Sequence, residues 1–169
     1  MEKTYRMNTY LLIGLALIVA MVLIIVMRNL FGHWQGYRRH SRNVRNEKER
    51  LAFLIDKDFV VKETNYYDMN PLMKDDQPRV LGNVLHCKTG CDSGLCGTGI
   101  SCQTCPVRFV LKNSFLQRRD VKSVEATMML YDQNHKPREI DVRIDGDLVS
   151  VNNELYMIVK VENTSQESE

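Results

Sequence analysis

Five cysteines, Cys87, Cys91, Cys96, Cys102 and Cys105, fall within 19 residues with the spacing Cys-x3-Cys-x4-Cys-x5-Cys-x2-Cys. Thiolates are soft donors, and four of them complete a tetrahedral zinc site or hold an iron–sulfur cluster. Cys102 and Cys105 form a Cys-x2-Cys knuckle, which lets two neighbours reach one ion from a tight turn. Pro106 follows directly and suits the first turn of a helix, so the knuckle is expected where the positive end of a helix dipole favours thiolate over thiol. The spacing is not that of a paired Cys-x2-Cys zinc ribbon, which leaves a thiol redox switch and plain packing as competing uses.

Other chemistry is sparse. His33 and His40 lie in a basic stretch, and His135 sits in a turn signal with no Cys, Ser or carboxylate partner in its pattern. Asp75 with Asp76, and Asp145 with Asp147, read as turn and surface residues. No glycine-rich phosphate loop, GxSxG elbow or HExxH helix is present, so no enzyme is expected. A net charge of +2 over 169 residues argues against a nucleic-acid binder. The charge is uneven, however: Arg28 to Arg50 holds seven bases and two acids, and the remainder from Leu51 holds 14 bases and 18 acids.

That basic collar follows a long apolar run. Met7 to Met27 are 21 residues without a charge, enough at ~1.5 Å per residue to span a ~30 Å hydrocarbon core. Residues 1–31 are accordingly expected to be a single transmembrane anchor, and no small-x-small site follows to suggest a cleaved signal peptide. Positive charge on the C-terminal flank orients the chain with its C-terminal domain in the cytoplasm, tethered to the membrane. Arg28, Phe31, Trp34, Tyr37, Arg38 and Arg39 are then membrane-interface residues. In a reducing compartment the cysteines are expected to stay unpaired. Residues 32–50 form a basic juxtamembrane connector helix, although Gly32 and Gly36 discourage continuity; Leu30, Tyr37, Val44 and Leu51 recur every seven residues as a weak seam for a homodimer.

Strand signals begin at Phe59, Val60 and Val61, and the region from Asn70 to Asp76 is turn-like. Residues 86–105 have no apolar period and need something other than a packed face to order them. Val107, Val110, Leu111, Ser114 and Phe115 fall on one helical face, with Arg118 and Arg119 at its C-terminal end. Period-two alternation marks three further strands, around Val124 to Leu130, Ile140 to Ile144 and Leu155 to Val161. Turns fall at Asp132 to Pro137 and at Asn152-Asn153. The fold class is α+β, an antiparallel sheet with helices on one face.

The order of elements, with SVEATMMLYDQNHKPREIDVRI and then LYMIVKVENTSQ, resembles the last three strands of the PAS sensor fold; LGNVLHC followed by LCGTGISCQTCPVRFVL is similar to a cysteine-containing PAS variant of bacterial signalling proteins. The resemblance covers residues 51–165, leaving a polar tail at 166–169. It implies Cys87, Cys96, Cys102 and Cys105 as the ligand set, with Cys91 and His86 as substitutes and Zn2+ preferred over an iron–sulfur cluster. It also implies a sensor acting through a partner protein, since the chain stops soon after the last strand. A membrane-bound electron-transfer or thiol-redox component, and a structural subunit of a membrane complex, are the competing functions.

Overall fold

The computed structural model describes residues 2–73, 76–151 and 153–165, without the side chains of residues 2–13 and 31–35. The polar tail at 166–169 lies outside the described residues. The chain divides into two units, residues 1–38 and 39–169.

Helix α1 spans Glu2–Asn46 and runs through Gly32 and Gly36 without a break. Among the described residues no helix is long and apolar enough to cross a membrane, which corrects the expected transmembrane anchor. The membrane location and cytoplasmic orientation fall with it, because flanking charge orients only a segment that spans. So does the interface role expected of Arg28, Tyr37, Arg38 and Arg39; the side chains of Phe31 and Trp34 lie outside the described residues. The seven-residue seam is not used as one either, because Val44 is buried within the second unit and Leu51 opens a strand there.

That unit is a five-stranded antiparallel sheet of β1 (Leu51–Asp56), β2 (Val61–Thr64), β3 (Val121–Tyr131), β4 (Pro137–Val151) and β5 (Glu154–Asn163), in the order β2-β1-β5-β4-β3. The short helices α2 (Tyr66–Met69), α3 (Leu81–Val84) and α4 (Lys88–Asp92), and the longer α5 (Pro106–Gln117), form the middle of the chain. This is the expected α+β arrangement of an antiparallel sheet with helices, and its last three strands stand where the alternating residues put them. The α5 face is as read: Val107, Leu111 and Ser114 are buried, and Val110 and Phe115 pack against the core.

The first strand departs from expectation. Strand signal was read from Phe59, whereas β1 is the preceding run LAFLI, in which four consecutive residues are buried. Phe53 and Ile55 enter the main core with Met157, Val159 and Leu111. Ala52 and Leu54, on the reverse face, pair with Lys160 and Ile158. Lys160 reaches Glu47, just past the end of α1, at 3.4 Å.

Asn65, which is 1% exposed, fastens this junction. Its Oδ1 accepts from Ala52 N at 2.7 Å, and its Nδ2 donates to the carbonyls of Glu47 at 2.8 Å and Arg50 at 2.9 Å.

The β1–β2 turn is organised by Asp56. Its Oδ1 accepts from Asp58 N and Val60 N, both at 2.9 Å, and its Oδ2 meets Lys62 Nζ at 2.8 Å. The turn holds Phe59 at φ 64°, the left-handed region, and presents its ring to the core. Partial burial pushes the Asp56 carboxyl up, but these bonds outweigh it and hold it below its ordinary value. A carboxylate lowered in the folded state stabilises above its unfolded pKa, near 4, and that contribution fades as pH falls through the folded value. Asp56→Asn is accordingly expected to destabilise by about 1–2 kcal/mol at pH 7 in urea melts, with the gap to wild type closing as pH falls through the lowered folded value. A gap that stays the same as pH falls would contradict the charge-based account.

Candidate functional site

The cysteine block begins where α3 ends. His86 takes φ 56°, a strained value for a residue with a Cβ, and turns the chain out of α3 into α4. Cys87 N donates to Gly82 O at 2.7 Å, and Tyr131 N donates to His86 O at 2.8 Å, joining the block to β3. Past α4 the chain doubles back through Gly94, Cys96 and Gly97 to a 3-10 turn at Ile100–Gln103 and then enters α5 with Cys105 as N-cap. The knuckle thus stands at a helix N-terminus, as its Pro106 predicted.

Two neighbouring residues in α3 order this loop. Asn83, fully buried, accepts from Cys96 N through Oδ1 at 2.7 Å and donates through Nδ2 to the carbonyls of Gly90 and Gly94, both at 3.4 Å. Gly82 leaves the space that Cys96 fills. A Cβ there would land on Cys96 Sγ, 3.0 Å from Cys96 Cβ and 3.7 Å from Cys87 Cβ.

The result is a cavity of about 270 Å³ lined by Cys87, Cys96, Cys102 and Cys105, with Thr127 and Met128 of β3 on another side. These are the four cysteines of the expected ligand set. Cys91 is half-buried in α4 and does not line the cavity. His86 does not line it either: its ring stacks on Tyr66 with centroids 5.9 Å apart, and its Nε2 has no hydrogen-bond partner among the described residues. All five cysteines are free thiols. Among the described residues, no three His, Cys, Asp or Glu side chains converge closely enough to hold an ion, so the four thiols share a cavity without forming a closed cluster.

Burial pushes the Cys96 thiol up to about 11, and the neighbouring Cys102 and Cys87 add to the rise; Arg108 and a backbone hydrogen bond from Gly82 oppose it. The Cys91 thiol is also raised, by burial first and then by Cys87, Asp92 and Asp76. Burial of this kind favours the protonated thiol at Cys96 and Cys91.

The spacing of the cysteines did not mark Asn83, Gly82, Phe59 or Arg108. Asn83 and Gly82 lie within the LGNVLHC motif, but their roles come from what folds over them. Arg108 lines the cavity from the first turn of α5.

No protein-family model matches the chain, and no curated protein matches it. Among solved structures it is similar to a PAS domain from Desulfitobacterium hafniense, at 9% identity and TM-score 0.43 over 69% of this chain and 93% of that one. It is similar to a PAS domain from a two-component sensor histidine kinase at 12% identity and TM-score 0.43, covering 75% and 95%. It is also similar to the PAS domain of nitrogen regulation protein NR(II) from Vibrio parahaemolyticus at 8% identity and TM-score 0.44, covering 73% and 95%.

Asn83→Ala strands the Cys96 N–H in a buried site and is expected to lower stability by about 2–3 kcal/mol in chemical denaturation. It should also speed alkylation of Cys96, followed by mass spectrometry of tryptic peptides. An unchanged midpoint together with unchanged labelling would show that the amide does not order the loop.

Proposed function

We propose that this chain is a signalling and interaction module in which a PAS-like domain gathers a thiophilic metal centre, Zn2+ in preference to an iron–sulfur cluster, in its cysteine cavity and transmits the state of that centre to a partner protein. The observation that carries this reading is that Cys87, Cys96, Cys102 and Cys105, separated by up to 18 positions, line one cavity. The donor set is chemically suited to such an ion: four soft thiols and no competing carboxylate line the space. Each thiol that becomes a ligand releases its proton to solvent, so uptake is favoured as pH rises.

The bound centre would supply coordination, cross-linking α3, the doubled-back loop and the start of α5. The chain's own residues do the rest. Asn83 holds the backbone of Cys96, Gly82 leaves room for its side chain, and Cys105 opens α5 with its carbonyl accepting from Phe109 N at 3.0 Å. A loop without an apolar period needs such cross-links to stay ordered. Among thiol readings, a redox switch finds less support, because a buried, protonated Cys96 is a slow nucleophile.

Full-length protein purified anaerobically is expected to carry about one metal ion or cluster per chain by elemental analysis. Absence of metal, with every thiol freely reactive, would end the proposal. Cys102→Ser with Cys105→Ser separates its versions: a folded protein that no longer captures its partner supports sensing, whereas global unfolding supports a structural centre.

A further inference from the structure

We propose that the outward face of α5 docks an acidic amphipathic helix of a partner protein. This deepens the partner-protein part of the reading above and requires no metal in the cysteine cavity.

The sequence prepares that face. From Ser93 to Arg119 there is no acid, and four bases fall in the segment: Arg108, Lys112, Arg118 and Arg119. Outside it, the chain from Leu51 onward holds ten bases and 18 acids, so this run is a basic island in an acidic domain. Helix α5 turns Val107, Leu111 and Ser114 inward, which sends Phe109, Lys112 and Leu116 to the outside. Phe109 and Leu116 are seven residues apart, two helical turns, so they stand in one stripe about 10 Å apart along the axis. They are 65% and 72% exposed, and Phe109 is the one exposed Phe, Tyr or Trp among the described residues. Apolar residues scattered singly over a surface are ordinary, but an aligned pair that includes an aromatic ring has the form of an anchor site.

The cations beside the stripe are unengaged. Arg108 is turned inward, with its Cζ 4.7 Å from the centroid of the Phe59 ring. Lys112, Arg118 and Arg119 are exposed, and among the described residues none of them pairs with a carboxylate. Bases elsewhere in the unit do find acids: Lys62, Lys88, Lys122, Arg138, Arg143 and Lys160 each form an ion pair.

Charge selects the occupant. An acidic helix laid along α5 gives carboxylates to the three free cations and sets its apolar side on Phe109 and Leu116. A second copy presenting the same face would oppose Lys112, Arg118 and Arg119 to their own duplicates, and like charges across an interface are costly. An extended polyanion, such as a lipid surface or a nucleic acid, would also lie over the acidic remainder of the domain. A short helix meets only the local island, since charges beyond about 8–10 Å are screened at physiological salt.

A display library of randomised helical peptides is selected on the full-length protein. Enriched peptides are then measured by fluorescence anisotropy against wild type, F109S/L116S and K112E/R119E, with thermal midpoints recorded for each. All four positions are exposed, so the variants are expected to fold as wild type does. We expect enriched peptides to carry Asp and Glu beside an apolar stripe and to bind either variant about tenfold or more weakly. Versions of those peptides with Lys in place of Glu should bind K112E/R119E better than wild type. No enrichment, enrichment without acidic bias, or equal affinity for wild type and both variants overturns the proposal. So does self-association in sedimentation that F109S/L116S abolishes, which assigns the face to a second copy, or binding to phosphatidylserine vesicles without binding to peptides, which assigns it to lipid. Failure here leaves the metal reading intact, and a protein without metal that still selects acidic peptides sinks that reading alone.

Discussion

The cysteine cavity depends on a single buried amide. Residues 86–105 lack the apolar periodicity that would let them pack as a helix or strand, and ordering them costs about 1–2 kcal/mol of backbone entropy per residue. Asn83 opposes that cost where it is greatest, at the reversal through Gly90, Gly94 and Cys96. Because it sits on a helix packed into the core, its position is set by Leu81, Val84 and Leu85 before the loop closes over it. Gly82 beside it then decides that the side chain entering the gap is Cys96.

The loop so fastened is continuous with the sheet. Tyr131 joins it twice, through its N–H to His86 O and through its hydroxyl to Asp92 Oδ1 at 2.7 Å, and Lys88 pairs with the same carboxylate. Cys87 and Leu130 form an isolated bridge, so the first cysteine is held against the edge strand β3. From β3 the ladder runs through β4 and β5 to β1, where Asn65 ties the strand to the backbone just beyond α1. A chain of packed and hydrogen-bonded groups thus connects the cavity with the residues nearest α1.

How much of this was legible follows from what each pattern encodes. Strands β3 and β4 bury one face more than the other, so residues such as Ile140, Val142 and Ile144 alternate with charged ones and announce themselves. Helix α5 carries its apolar stripe openly, with a proline at its start. Strand β1 did not, because Ala52 and Leu54 are covered on one face and Phe53 and Ile55 on the other; a run buried on both sides has no period. The transmembrane reading of α1 came from composition alone, and among the described residues no helix is long and apolar enough to cross a membrane. The four cavity cysteines, with Cys91 set apart from them, were legible through a family resemblance, and α4 places Cys91 outside the cavity.

Asn83, Asn65 and Arg108 were invisible for a deeper reason: a polar residue's partners are set by tertiary structure, and nothing in its neighbours' identities gives them away. Their chemistry still constrains what could replace them. Asn83 must accept from one N–H and give to two carbonyls at once, which an aspartate cannot do because it has no donors when ionised, and a lysine cannot do because it has no acceptor. An aspartate at that point would also add negative charge beside thiols already pushed upward by burial and by one another. A neutral amide orders the loop without adding charge beside Cys96, whose thiol burial holds well above its ordinary value.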